Sequence, residues 1–166
     1  MKTVRILISV TLVLIIFSAM TSVVWAGNEA THPIQKLYRV TPEIDLDQLT
    51  ILFNSVGWER RTIDRDRLAQ LVQGSMYVIS AWDGDRLVGF ARAISDGAFN
   101  AYLSTVAVLP EYQKRGIGRE LIARLLEGRD HLQFVLHAND SAHPFYLRLA
   151  QGFERFENVL ARRRKF

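Results

Sequence analysis

Hydrophobic and polar residues follow two spacings along this chain, and the changes between them mark the predicted elements. Apolar residues recur every three or four positions in four segments, which predicts helices at 45–55, 64–73, 116–128 and 141–150. Short runs rich in β-branched and aromatic residues predict strands at 36–40, 76–82, 87–94, 101–109, 132–137 and 153–161. The order β-α-α-β-β-β-α-β-α-β predicts the α/β (α+β) class, with a mixed, mostly antiparallel central sheet flanked by helices.

Turn-forming residues separate these elements. The sequence Asp83-Gly84-Asp85 predicts a tight hairpin turn between the second and third strands, because Asp-Gly pairs adopt the backbone twist that hairpins need. Pro110 ends the fourth strand. The pattern predicts one domain over residues 34–166, preceded by a short linker at 27–33.

The first 26 residues differ from the rest of the chain. Lys2 and Arg5 precede an uncharged stretch, 6–26, which would span roughly 31 Å as a helix, about the hydrocarbon thickness of a bilayer. We interpret residues 1–26 as a signal peptide cleaved after Ala26 or as an uncleaved membrane anchor, which would give membrane contact through 6–26. Either would direct the domain away from the cytoplasm. A start codon assigned too early is the third interpretation.

Composition and charge exclude several classes of protein. The 166-residue chain has no cysteine, which removes disulfides, thiolate metal sites and cysteine nucleophiles. Its four histidines include no H-E-x-x-H pair, and we predict no metal site. Residues 1–26 hold two of the 21 basic residues and none of the 17 acidic ones, so the remainder carries a net charge of +2. That charge is too small to indicate nucleic-acid binding. The basic run 162–165 is interpreted as a solvated tail or edge, with a phosphate or lipid patch as the alternative.

The most informative segment is the loop after the fourth strand, where two glycines open a helix. Such a loop directs backbone N–H groups inward, and the helix N-terminus adds roughly half a positive charge, so the segment suits a pyrophosphate. A Cβ atom at Gly116 or Gly118 would crowd the phosphate or strain the backbone. Lys114, Arg115 and Arg119 would add charge at the rim. The segment matches neither the Walker P-loop nor the Rossmann fingerprint.

Two motifs in this order resemble the GNAT superfamily of N-acetyltransferases. The family signature Q/R-x-x-G-x-G/A reads Gln113-Lys-Arg-Gly116-Ile-Gly118 here, after a strand that ends Val108-Leu-Pro-Glu-Tyr112. The second motif follows downstream, as Asn139, Ala142, Phe145-Tyr146 and Gly152-Phe153. The resemblance covers roughly residues 34–166.

The resemblance implies transfer of an acetyl group from acetyl-CoA to an amine by direct attack, without a covalent enzyme intermediate. It implies that the backbone around Val106 and Val108 pairs with the pantetheine arm and that Asn139 contacts the pantetheine. It assigns Tyr146 as the acid that protonates the leaving thiolate, a role that suits a phenol because its pKa is about 10. The pyrophosphate would contact the loop residues Gln113, Lys114, Arg115, Gly116, Ile117, Gly118 and Arg119.

Two features depart from the family pattern. Five residues separate Tyr146 from Gly152, where the family usually has three, and Phe145-Tyr146 could also be ordinary core aromatics. The strand before the loop has Ser104 and Thr105 where many relatives place a carboxylate. His137, a water relay or bulk solvent could act as the base instead, and no base is assigned.

The sequence leaves the acceptor and the cellular location open. The segment Trp58 to Arg61 is interpreted as a lid. Trp82, Asp83 and Asp85 lie on or near the hairpin, where they are either ordinary packing and turn residues or an acidic rim that favours a cationic amine. The acceptor is a small amine or a peptide amine, with an antibiotic, a peptide N-terminus and a lysine all left open. The alternative function is a catalytically silent acetyl-CoA sensor or partner-binding module; a third is a secreted domain whose loop binds nothing. The chain is expected to be a monomer or a homodimer. Acetyl-CoA use favours the cytoplasm, whereas the first 26 residues favour export.

Overall fold

The computed structural model describes residues 36–157 and Leu160, and their five strands pair side by side in chain order. The strands are β1 (Lys36–Val40), β2 (Tyr77–Asp83), β3 (Arg86–Ser95), β4 (Asn100–Val108) and β5 (Gln133–Leu136). The helices are α1 (Leu46–Ser55), α2 (Arg65–Gln73), α3 (Ile117–Leu126) and α4 (His143–Leu147). Short 3-10 helices form at Glu59–Arg61 and Pro110–Tyr112.

The sheet is mixed and mostly antiparallel, as predicted. Strands β1 to β4 form three antiparallel pairs, whereas β4 and β5 run parallel and are connected through α3. A parallel pair needs such a crossover because its strands cannot be joined by a tight hairpin. Four consecutive pairs, from Asn100 with Gln133 to Leu103 with Leu136, join β4 to β5.

The first two helices begin one residue after the predicted starts, because the aspartates there act as N-caps. The Asp45 side chain accepts hydrogen bonds from the backbone N–H groups of Asp47 and Gln48. The Asp64 side chain accepts from the N–H of Arg67. Each cap satisfies donors that the first helical turn leaves without an intrahelical acceptor.

Helices cover both faces of the sheet. On one face, Phe53 of α1 packs edge-to-face against Phe90 of β3, with ring centroids 5.8 Å apart. On the other face, α3 lies so close to β3 that a Cβ atom at Gly89 would come within 3.0 Å of Ile117 and Leu121. Glycine at position 89 therefore allows close packing between helix and strand.

Two predicted elements differ from the structure. The strand predicted at 153–161 is wrong where it can be compared, since residues 153–157 form no strand. The helix predicted at 141–150 is shorter, because α4 ends at Leu147 and residues 148–151 turn. The predicted segment 1–26, the linker 27–33 and the basic run 162–165 lie outside the described residues. Across residues 36–157, no helix is long and apolar enough to cross a membrane.

Candidate active site

Strands β4 and β5, at one edge of the described sheet, stop pairing partway along β4. Their pairing ends at Leu103 and Leu136, although β4 continues for five more residues to Val108. Over residues 104–108, β4 is paired with β3 on one side only. The separation leaves a gap whose one wall is an unpaired strand edge, and an extended ligand could bind that edge as a strand would.

A β-bulge at Ser104 marks the start of the gap. Ala93 of β3 pairs with Leu103, and the next residue, Arg92, pairs with Thr105, so Ser104 is an extra residue in β4. A bulge shifts the alternation of side chains by one position. Leu103 therefore shares the face of Ala93, whereas Thr105 lies with Arg92 on the opposite face.

The strand register determines the direction of the backbone N–H and C=O groups that follow the bulge. The N–H of Leu109 donates to the carbonyl of Val88 in β3 at 2.9 Å. Successive residues of an antiparallel strand direct their backbone groups to opposite sides, so Val106 and Val108 direct theirs away from β3 and into the gap. The carbonyl of Val108 accepts a hydrogen bond from Nε2 of Gln113 at 3.0 Å. The backbone groups of Val106 and the N–H of Val108 are thus positioned to pair with an extended ligand.

The two-glycine loop leads directly from this strand edge to the start of α3. Lys114 (φ 59°) and Gly116 (φ 82°) both have left-handed backbone conformations. Gly116 is the N-cap of α3 and provides no side-chain acceptor, and the first intrahelical bond runs from Glu120 N–H to the Gly116 carbonyl. The amides of residues 117–119 precede that bond, so they can donate to an anion.

The two glycines are required for different reasons. A Cβ atom at Gly116 would meet nothing within 4 Å, so the requirement there is its left-handed backbone. A Cβ atom at Gly118 would lie 3.2 Å from the ring of Phe145 in α4. Gly118 therefore lets α4 pack against the first turn of α3, a contact that the sequence motif does not reveal.

The basic residues of the loop surround the start of α3. Lys114, Arg115 and Arg119 are all exposed. The Arg115 guanidinium lies 5.4 Å from the ring centre of Tyr112, a cation–π distance. The three cations lie within one turn of the helix N-terminus, so the loop combines fixed backbone donors with positive side chains.

Asn139 begins the turn that leads into α4. Its Oδ1 atom accepts hydrogen bonds from the N–H of Ala142 and the hydroxyl of Ser141, both at 2.9 Å. The side-chain carbonyl thus stabilises the helix start, and the amide NH2 group is left to contact a ligand.

Tyr146 lies in α4 among aromatic rings. Its ring packs edge-to-face against Phe145 and Phe153, with centroids 5.1 and 5.8 Å away. Burial raises the pKa of the Tyr146 phenol to about 12, because a phenolate loses hydration there. The phenol is therefore protonated throughout the neutral range, as a proton donor must be.

The residues that the sequence suggested for acceptor binding separate into two groups. Trp82 is buried and donates from Nε1 to Ser80, while Asp83 accepts from the Tyr112 hydroxyl at 2.8 Å. This hairpin lies beside the loop, because Asp83 pairs with Arg86 and Arg86 forms an ion pair with Glu111. The acidic residues of the hairpin are thus far from the bulge.

The segment between α1 and α2 does contact the bulge. Arg61, at the end of its 3-10 helix, donates from Nη1 to the Thr105 hydroxyl at 3.0 Å. The same guanidinium stacks 4.6 Å from the ring centre of Trp58. The predicted lid segment is therefore attached to β4 immediately after the bulge.

Sequence reasoning missed Arg92, the buried arginine of β3. Its side chain is 8% exposed and donates hydrogen bonds to both Ser104 and Thr105. Burial and the nearby Arg61 lower the pKa of Arg92 to about 10. The signal in the sequence is an arginine among small and apolar residues, Gly-Phe-Ala-Arg-Ala-Ile, in a strand that is otherwise buried.

The structure does not assign a general base. Glu111 forms an ion pair with Arg86. A backbone hydrogen bond, and to a smaller extent the contact with Arg86, lowers the pKa of the Glu111 carboxyl. His137 is exposed and follows the last residue of β5. Neither side chain has a described contact with Ser104 or Thr105, where the gap opens.

Comparison with known proteins agrees with this geometry. The acetyltransferase (GNAT) family profile matches residues 43–153. A solved acetyltransferase of the GNAT family from Streptococcus pneumoniae has a TM-score of 0.62 at 25% identity, over 78% of this chain and 99% of that chain.

Curated relatives match about two thirds of the chain. An uncharacterised N-acetyltransferase, ycf52-like, from Prochlorococcus marinus is 36% identical over 110 residues, which is 62% of this chain and 60% of that protein. The histone acetyltransferase TAP1 of Glycine max is 36% identical over 126 residues, or 68% of this chain and 53% of that protein. The match thus spans little more than half the length of these relatives. With the profile covering most of the chain, and with the strand gap and two-glycine loop in place, this chain belongs to the acetyltransferase (GNAT) family.

Proposed function

We propose that this chain is an N-acetyltransferase that moves the acetyl group of acetyl-CoA to a primary amine by direct attack. Enzymes of this family use acetyl-CoA, whose thioester supplies an electrophilic acetyl carbonyl. The observation that carries the proposal is the gap that opens at Ser104 and leads along β4 to the two-glycine loop. Acetyl-CoA combines a pyrophosphate with an extended amide-bearing arm, and this gap and loop present donors for both.

Each part of the site has a distinct binding role in this proposal. The first-turn amides of α3, with Lys114 and Arg119, bind the pyrophosphate. The unpaired backbone of Val106 binds the arm as a neighbouring strand would. The Asn139 amide adds a donor on the other side of the gap, where α4 begins.

Tyr146 acts on the leaving thiolate. A thiol has a pKa of about 8.5, so it is a stronger acid than a phenol whose pKa is about 12. Tyr146 therefore donates a hydrogen bond that stabilises the thiolate as the carbon–sulfur bond breaks. The attacking amine loses one proton as the amide forms, and a proton reaches the sulfur, so the products are an N-acetyl amine and a free thiol.

Deprotonation of the amine does not need a carboxylate from β4. The strand has Ser104 and Thr105 at the bulge, flanked by the guanidinium groups of Arg61 and Arg92. Nearby positive charge lowers the pKa of an ammonium group. A bound amine would therefore be neutral at a lower pH than in water, and water can accept its proton.

Calorimetric titration of acetyl-CoA into the full chain tests the donor site. We expect saturable binding that Gly116→Val weakens at least tenfold, because a branched side chain strains the left-handed backbone and displaces the loop amides. Gly128→Val is the matched control: Gly128 follows the other end of α3, with φ 71° and nothing within 4 Å of its Cβ position. It should lower stability by a similar amount and leave the dissociation constant unchanged.

Thiol release with a panel of primary amines then tests transfer. Release together with an N-acetylated product, identified by mass, supports the enzyme. Tight acetyl-CoA binding without release on any amine would favour the catalytically silent sensor. No binding by a folded chain would overturn the proposal.

A further inference from the structure

Arg92 crosses the face of the sheet beneath the bulge. Its Nε donates to the Thr105 hydroxyl at 3.1 Å, and its Nη2 donates to the Ser104 hydroxyl at 2.9 Å. Its Nη1 donates to the carbonyl of Leu71 at 3.3 Å and to the Ser75 hydroxyl at 3.1 Å. The guanidinium thus connects the end of α2 to the residue at which β4 leaves β5.

This buried cation has only neutral partners in the described part of the chain. All four of its hydrogen bonds go to hydroxyl or carbonyl oxygens, and none of the described ion pairs includes Arg92. Buried arginines usually pair with carboxylates, since burial of an unpaired charge costs free energy. A side chain that is 8% exposed therefore retains a positive charge that a bound anion would balance.

One donor of Arg92 has no acceptor among the described residues. A guanidinium carries five N–H groups, and the four hydrogen bonds use the one on Nε, both on Nη1 and one on Nη2. The fifth is on Nη2, the nitrogen that contacts Ser104. The remaining donor is therefore carried by the nitrogen that is hydrogen-bonded to the bulge residue.

A second positive group lies beside the first. Arg61 and Arg92 donate to the same Thr105 hydroxyl, at 3.0 and 3.1 Å. Arg61 is half-buried on the segment that contacts the bulge from the α1–α2 side, and the half-exposed Tyr102 lies on the same face as Arg92. The acceptor side of the bulge thus has two cations, and no described carboxylate contacts either Ser104 or Thr105.

We infer that the acceptor is a small amine that also carries a carboxylate, of the amino-acid class, and that this carboxylate binds beside Ser104, with Arg61 and Arg92 as its cationic partners. The inference rests on the proposed function and specifies its acceptor. Carboxylates bind arginine through charge-assisted hydrogen bonds. Once bound there, the carboxylate holds the amine next to the strand edge where the thioester lies. The positive charges of Arg61 and Arg92 disfavour polycationic acceptors, because such acceptors have no negative group to place beside them.

Matched pairs of amines test the carboxylate directly. The probes are leucine, leucinamide and 3-methylbutylamine, together with phenylalanine, phenylalaninamide and 2-phenylethylamine. Each set keeps the side chain and the amine while the carboxylate is replaced by an amide or removed. We expect the full chain with acetyl-CoA to acetylate the amino acids at least tenfold more efficiently in kcat/KM, since a charge-assisted hydrogen bond contributes more than a neutral one.

Arg61→Gln provides the second test, because a half-buried arginine can be replaced with less risk to folding than Arg92. We expect a KM for the amino acids raised about tenfold, with the acetyl-CoA dissociation constant unchanged and the preference over the amides reduced. Arg92→Lys keeps the positive charge but loses the planar, forked set of guanidinium donors. It should raise the KM for the amino acids further than Arg61→Gln does. Arg67→Gln, at an exposed position of α2, is the control and should change neither value.

The outcomes distinguish this inference from the function on which it rests. Equal or better turnover of the decarboxylated amines, with acetyl-CoA binding intact, overturns the inference and leaves the enzyme. Acetyl-CoA binding without turnover of any amino acid overturns it as well. A preference for the amino acids that Arg61→Gln does not reduce places the carboxylate elsewhere and also overturns it. Failure of a folded chain to bind acetyl-CoA overturns the proposed function itself.

Discussion

At the scale of single residues, the buried phenol of Tyr146 has the most direct chemical consequence. Tyr146→Phe removes the hydroxyl but keeps the ring that packs against Phe145 and Phe153. We expect kcat to fall about 100-fold, the lower range for loss of one hydrogen-bond donor to a developing negative charge, with the acetyl-CoA dissociation constant unchanged. Steady-state kinetics and calorimetry measure the two quantities. An unchanged kcat, with acetyl transfer rather than product release limiting, would remove Tyr146 from the chemistry.

The same residue determines the alkaline side of the pH profile. Burial raises the pKa of Tyr146 to about 12, so its phenol remains protonated at pH 10, where an ordinary tyrosine is half ionised. We therefore expect kcat/KM to rise with pH as the acceptor amine loses its proton, and then to stay level to about pH 9, below the pKa of about 10 at which Arg92 loses its charge. A decline centred well below pH 10 in the wild type, absent from Tyr146→Phe, would contradict the raised pKa.

At the scale of elements, the glycine at position 118 determines how closely α4 can pack against the first turn of α3. A Cβ atom at Gly118 would lie 3.2 Å from the Phe145 ring, so Gly118→Ala should lower the free energy of unfolding by about 1–2 kcal/mol. Phe145→Leu should cost less in that background than in the wild type, because the smaller side chain relieves the contact. Denaturant unfolding of the two single variants and the double variant measures this coupling.

One result of this double-mutant cycle would argue against a contact between Gly118 and Phe145. Additive costs within about 0.5 kcal/mol would show that the two side chains act independently. The glycine would then be needed for ligand access alone, as the sequence motif suggests.

At the scale of the whole molecule, acetyl-CoA would join parts of the chain that are held together by few strand pairs. Four residue pairs connect β4 to β5, and the ligand would contact β4, α3 and the start of α4. At 100 times its dissociation constant it should add about 2.7 kcal/mol to the free energy of unfolding. That corresponds to a rise in Tm of roughly 8–10 °C for a domain of this size. In a thermal shift assay at the same acetyl-CoA concentration, Gly128→Val should keep the rise and Gly116→Val should lose at least half of it.

The sequence predicts most of this architecture because its elements are marked locally. Asp45 and Asp64 cap their helices, and the Asp-Gly turn between β2 and β3 forms at Gly84. The two glycines of the loop likewise indicate, in the sequence, where α3 begins. Local pattern is less informative at the C-terminal end, where residues 153–157 include two phenylalanines but form no strand. Aromatic residues favour a strand only where the surrounding structure provides an edge to pair with.

The acceptor side of the site was not predictable in the same way. Arg92 and Ser104 are 12 positions apart along the chain and meet only because β3 and β4 pair in one register. The acidic hairpin residues looked suitable because they are near one another in the sequence. The sheet places them instead at the loop end, where Asp83 binds Tyr112.

The extra residue in β4 also constrains how the chain can vary in length. Deletion of Ser104 would leave the pairs Ala93–Leu103 and Arg92–Thr105 next to one another as an ordinary ladder, so every side chain of β4 would keep its face. A deletion near either end of β4 would instead shift one part of the strand by one residue and turn its side chains to the opposite face. Strand β4 should therefore fold after loss of Ser104 far better than after loss of a residue near Asn100 or Val108. A library scan of in-frame deletions would show two minima in folding yield that flank Ser104, with tolerance also at the turn around Gly97.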